Sequence, residues 1–135
     1  MHLLARHFDG RTTHLLGWVL VAANGTAIIE ASWRDQGVDR EQSFEIDFPD
    51  ARIRECQEVL ALLKPVYNGC VDGFPIYELS VSDNDRVLTT RVYEGIQWPN
   101  AIKPEIDSFR RIWEPIDKEV EKHLAIPGRS TKRKK

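Results

Sequence analysis

Cys56 and Cys70 are the only thiols of the chain, and the 13 residues between them exclude a CxxC redox or metal pair. Cys56 falls on the apolar stripe of an expected helix and reads as a core residue. Cys70 lies in an expected loop, where a neighbouring histidine would be needed to make it a nucleophile. The four histidines, His2, His7, His14 and His123, give no HExxH and no Cys/His ligand spacing. His7 and His14 flank an expected hairpin turn and can approach across the ladder, yet two imidazoles with one acid make a thin metal site, and ordinary strand-face histidines are the simpler reading. The acidic run Asp83-Asn84-Asp85 has Glu94 at the twelfth position counted from Asp83, as in a calcium loop. The fifth position, however, is Val87, and the sixth, which must be glycine for such a loop to turn, is Leu88. The run therefore reads as a hairpin turn, since Asp and Asn tolerate left-handed backbone. With no GxGxxG, Walker P-loop or GxSxG either, the sequence points to a non-enzymatic protein without metal or cofactor.

What remains is the chemistry of association. The chain has 135 residues with 19 basic and 21 acidic side chains, but residues 129–135 hold five of the bases and no acid, which leaves residues 1–128 at a net −7. The body is acidic and the tail basic, so the body attracts basic surfaces while Arg129, Lys132, Arg133, Lys134 and Lys135 would contact nucleic-acid phosphates. A disordered, solubilising end is the alternative reading of that tail. Trp98 sits in an expected loop near Tyr67, Phe74 and Tyr93, where such an aromatic either anchors a protein partner or packs under the loop to cap the core. Trp98 and Tyr67 are accordingly the expected anchors, with Asp83, Asp85, Asp35 and Asp39 in the connecting turns as steering acids. Leu15–Ala23 is an apolar run after Arg6 and Arg11, but Asp9 stands where a signal peptide carries only positive charge, and nine residues are too few for a spanning helix. A reducing, cytoplasmic setting without membrane contact follows from the two cysteines and the lack of a clear leader.

These residues need a scaffold, and 135 residues with 41% hydrophobic positions suffice for one domain. Asn24-Gly25 separates two apolar runs and is the preferred centre of a type I′ hairpin, because both positions need positive φ. After it Ala27, Ile29, Ala31 and Trp33 alternate with Ile28, Glu30 and Ser32, as in a half-buried strand. The arm before it is apolar on both faces, which suggests a central strand. Asp9-Gly10 would turn a first strand, His2–Phe8, onto it, and residues 42–48 alternate as a fourth strand. Asp50 is then placed to cap a helix over residues 51–64 whose inward positions are Ile53, Cys56, Val59, Leu60 and Leu63, stopped by Pro65. Tyr67–Pro75 reads as an ordered loop. A hairpin follows, Tyr77–Ser82 and Val87–Tyr93. Ile106, Phe109, Trp113, Ile116, Val120 and Leu124 then form one apolar stripe on a helix over about 104–124. Pro115 inside that stripe predicts a kink or two helices in series. The expected architecture is a single α+β domain over residues 1–128 in the order ββββαββα, a four-stranded meander plus a hairpin with both helices on one face, and a basic tail over 129–135.

From Asp72 to Leu124 the run Asp-Gly-Phe-Pro-Ile-Tyr-Glu-Leu, a short hairpin, then Trp98-Pro99 and a helix bearing Phe109, Trp113 and Ile116 resembles small bacterial immunity-type proteins, inhibitors encoded beside polymorphic toxins. The resemblance covers about 40% of the chain and rests on hydrophobic pattern. It implies a small inhibitor that occludes a partner protein, and the acidic body would steer it toward a basic toxin or nuclease. A phage-encoded inhibitor of a bacterial defence system has the same physical form. The alternative function is a nucleic-acid-associated accessory module acting through the tail.

Overall fold

A computed structural model describes residues 1–9, 16–69, 75–95 and 97–124. The elements run β1 (His2–Asp9), β2 (Leu16–Ala23), β3 (Thr26–Asp35), β4 (Val38–Asp47), α1 (Asp50–Leu60), β5 (Val66–Asn68), β6 (Ile76–Asp83), β7 (Arg86–Tyr93) and α2 (Lys103–His123). All seven strands join one sheet in the order β4-β3-β2-β1-β6-β7-β5, antiparallel except for β5 beside β7. The architecture is α+β with both helices on one face, and the meander and the second hairpin are welded into a single sheet by β1, which pairs with β2 on one side and β6 on the other.

Turn chemistry sets the hairpins. Asn24 and Gly25 both have positive φ, 58° and 87°, as a type I′ turn requires, and Gln36 (53°) and Gly37 (80°) repeat it between β3 and β4. The second turn extends β4 back to Val38, four residues earlier than its apolar alternation suggests. Asn84, at φ 58°, turns β6 into β7.

Strand alternation sends one set of side chains toward the helices. Leu3, Ala5, Leu20, Ala22, Ala27, Ile29, Leu79 and Val81 are buried there against Ile53, Cys56 and Leu60 of α1 and Ile106, Phe109, Ile112, Trp113, Ile116 and Val120 of α2. His7, Trp18 and Tyr77 lie side by side in the β1, β2 and β6 register and meet Trp113 of α2. Trp18 and Trp113 stack at 5.4 Å between ring centroids, and His7 stacks on Tyr77 at 5.4 Å. These rings pin α2 across the middle of the sheet.

Four local expectations need correction. Residues 66–68 are a strand rather than loop: Tyr67 is in register with Val92, and three residues are too few to show alternation. Asp50 does not cap α1. Pro49 occupies the cap position without a side-chain bond, and Asp50 places its charge in the first turn instead, where it favours the positive end of the helix dipole. The helix ends at Leu60, before Pro65 is reached. α2 runs through Pro115 as one helix rather than two in series, because Pro115 is on the exposed side, where water can bond the carbonyl it leaves bare.

Candidate functional site

Among the described residues the second face of the sheet carries no helix. β2 is interior to the sheet, as its composition suggests, but its outward side chains are not covered: Val19 is 37% exposed and Val21 49%. Val21 is in register with Ile28 of β3, which is 53% exposed, and Phe8 of β1 is 51% exposed beside Gly17. One contiguous apolar patch therefore lies on the open face. A solvated face of an antiparallel sheet is ordinarily polar, so four exposed apolar side chains together make this face the candidate surface.

Over this face runs a trough of about 1010 Å³. Its floor is low on the β2–β4 side because Gly17, Ser32 and Ser43 bring little or no side chain to it. Two rows of register partners cross it. One runs Glu41, Ser32, Gly17, Phe8, Ile76, Tyr93, and the other Ser43, Glu30, Val19, Arg6, Glu78, Arg91. In the second row Glu78 is largely buried and accepts two guanidinium groups, Arg6 Nη1 at 3.5 Å and Arg91 Nη2 at 3.4 Å. Arg91 also donates to the Tyr93 hydroxyl at 3.5 Å, and that bond, then Glu78, holds its pKa above the usual arginine value. Glu30 and Glu41, two and three strands from Arg6, are exposed and make no ion pair among the described residues. The trough is thus acidic at one end, cationic at the other and apolar between.

The residues expected from the sequence lie elsewhere. Tyr67 is only 3% exposed, and its hydroxyl donates to Glu105 and accepts from the Lys64 amide. Trp98 is 8% exposed, and its Nε1–H donates to Glu94 at 3.1 Å. Both rings are structural, so neither is presented as an anchor. Their polar atoms are satisfied within the fold, which is what lets loop aromatics sink into a core. Asp83 and Asp85 are at the β6–β7 turn, whereas Asp39 is at the β3–β4 turn, at the opposite end of the strands, and pairs with Arg34 at 3.1 Å. The steering acids are therefore not brought together. The Asp35 side chain, Cys70, Phe74, His14 and the tail residues Arg129, Lys132, Arg133, Lys134 and Lys135 lie outside the described residues. Cys56 is buried, and desolvation pushes its thiol up to about 12, so it is no nucleophile.

The open-face residues Phe8, Val19, Val21, Ile28, Glu30 and Glu41 are missing from the sequence-based site. The available signal was the apolar outer set of β2, which has two readings, a strand covered on both sides or an uncovered binding face. Among the described residues no three His, Cys, Asp or Glu side chains are grouped to hold a metal ion, and no helix is long and apolar enough to cross a membrane. No protein-family model matches the chain, and no curated protein is similar to it.

Proposed function

We propose that this chain is a non-enzymatic protein-binding domain of the inhibitor type, which occludes a partner protein with the open face of its sheet. The observation that carries the reading is the exposed patch of Phe8, Val19, Val21 and Ile28, rimmed on the β3–β4 side by Glu30, Glu41 and Glu45. Apolar side chains supply the buried centre of such an interface and the acids its polar rim and steering field. The net charge of −7 over residues 1–128 favours a basic target, and the immunity-type resemblance over residues 72–124 is consistent with a toxin or nuclease in the cytoplasm. An inhibitor of a defence protein uses the same surface. Phe8 takes the anchoring role that sequence reasoning gives to Trp98 and Tyr67.

The test is capture from source-cell lysate on the immobilised full chain. A basic protein is expected to be retained stoichiometrically, with retention lost in Val21→Asp/Ile28→Asp and weakened as salt rises. Equal retention by wild type and double variant would remove the open face from the reading.

A further inference from the structure

The open face carries both signs of charge, and they are segregated. Glu30 and Glu41 lie on β3 and β4 without ion-pair partners among the described residues, whereas Arg6 on β1 and Arg91 on β7 share the one carboxylate of Glu78. The first group has excess negative charge and the second has one positive charge too many. A foreign basic surface satisfies only the acidic half. In the other row Phe8, half exposed, stands directly beside Gly17, its register partner, where the floor has no side chain. A ring lies beside a vacancy of the kind that a ring would fill.

From this pairing the geometry points to a second copy of the same chain as an occupant of the open face, closing it when no target is bound. The inference rests on the reading of that face as protein-binding and names what masks it. A two-fold axis parallel to the strands, passing between β1 and β2, reverses strand order but keeps position along the strands. β2 then faces β1 of the second copy, β3 faces its β6 and β4 faces its β7. In that arrangement the second copy's Phe8 enters the space above Gly17. A Cβ built at Gly17 already meets Phe8 of its own chain at 3.5 Å, so the space is bounded by aromatic carbon. Glu30 comes opposite the second copy's Glu78, one strand from that copy's Arg6 on one side and Arg91 on the other, and as a second carboxylate gives two acids for two arginines. Glu41 comes over Tyr93 beside Arg91. Val21 faces Leu4. Each contact occurs twice, as an isologous interface demands.

The size is adequate. Six strands about 4.8 Å apart and eight residues long present roughly 600 Å² per copy, or about 1,200 Å² in total, at the lower edge of stable interfaces. A weak dimer that a target can displace is the form this area allows.

Sedimentation equilibrium of the full chain from micromolar to near-millimolar concentration tests the inference. The mass is expected to rise from 15.6 kDa toward twice that value, and less so at high salt. Gly17→Trp fills the space that Phe8 enters and should weaken association at least about tenfold, as should Glu30→Arg. Both positions face solvent, and circular dichroism confirms that the fold persists. Arg6→Glu combined with Glu30→Arg restores two acids to two bases and should recover association, which no interface through another surface would do. A wild type that stays monomeric throughout overturns the inference, as does a dimer indifferent to Gly17→Trp and Glu30→Arg. A monomer that still loses its lysate partner through Val21→Asp/Ile28→Asp would sink the dimer and keep the function. A dimer with the expected sensitivities that retains no target would do the reverse.

Discussion

Glu94 shows how much a single carboxylate does in this fold. Its Oε1 accepts from the Gly95 amide at 3.0 Å, Trp98 Nε1 at 3.1 Å and Arg110 Nη2 at 2.8 Å, and so fastens the segment after β7 to α2. Glu94→Ala orphans a buried indole N–H and should cost about 2–3 kcal/mol in urea unfolding. Arg110→Ala should cost well under that, because its side chain is 38% exposed and the pair is screened. Equal losses would mean that the ion pair, not the buried N–H, dominates. Cys56 gives the pH counterpart. Burial raises its thiol from 9.0 to about 12, so the unfolded chain loses the proton first, and the stability that the neutral buried thiol contributes is present below about pH 9 and drains away above it. The slope is at most about 1.4 kcal/mol per pH unit. Burial and then the bond to Glu105 also raise the Tyr67 pKa, which acts in the same direction above pH 10. Between about pH 8 and 10.5, wild type should lose more unfolding free energy than Cys56→Ala, and parallel losses would show that the thiol contributes nothing.

Among the elements, the hairpins and α2 were legible because each rests on a short-range rule. Asn24-Gly25 needs only positive φ at two positions, and Ile106 to Val120 needs only the helical period. β5 was not legible, because its three residues are recruited by β7 and by a crossing of two glycines. A Cβ on Gly69 would stand 2.5 Å from Gly95 Cα, closer than any real contact. Gly69→Ala must therefore separate the two backbones. It should lower Tm by several degrees and loosen Tyr67 and Trp98, seen as a red-shifted tryptophan emission. Gly17→Ala, with only ordinary contacts at 3.5 Å and beyond, should leave Tm nearly unchanged. A tolerated Gly69→Ala would refute the crossing as the cause of β5. The site was illegible for a different reason. Strand alternation shows which residues share a face but not which face the helices cover, so Val19 and Val21 read as core. Tyr67 reads as loop because Asn and Gly follow it, and Trp98 reads either as an anchor or as a cap on the core. The Glu94–Trp98 spacing of four was the one local hint of burial, while the Tyr67–Glu105 bond spans 38 positions and leaves no local trace.

For the molecule as a whole, β1 is the keystone. It joins the locally wound meander to the β6–β7 hairpin, and its pairing with β6 brings Leu3 to Val81, 78 positions away. Closing so long a loop is slow and is rewarded only when both inner faces are buried, so the β1–β6 seam and the core against α2 must form together. β4 is the opposite case. Among the described residues it pairs in the sheet with β3 alone, meets α2 through Gln42 and Phe44 at His123, and has alternate residues Asp39, Glu41, Ser43, Glu45 and Asp47 exposed. Those charges keep a ten-residue free edge from pairing with other chains while leaving it open to solvent. The stability of the sheet should therefore fall from its middle toward β4. Native-state hydrogen exchange measures this directly. The amides of Leu3 to His7 and Leu79 to Val81 should exchange only through global unfolding, and those near the β3–β4 turn through local opening several kcal/mol below it, on the order of half the global value. Leu79→Ala, in a fully buried position, should cost about 2–5 kcal/mol and lower protection on both sides of the seam, whereas Ile28→Ala on the open face should change stability by at most about 0.5 kcal/mol. If β4 were protected as strongly as β1, the sheet would open as one unit, and the open face would offer a partner a rigid platform from one edge to the other. The graded result would instead place the acidic half on the softer edge and the Arg6–Glu78–Arg91 group on the rigid centre, so that a target could reshape β4 without disturbing the fold.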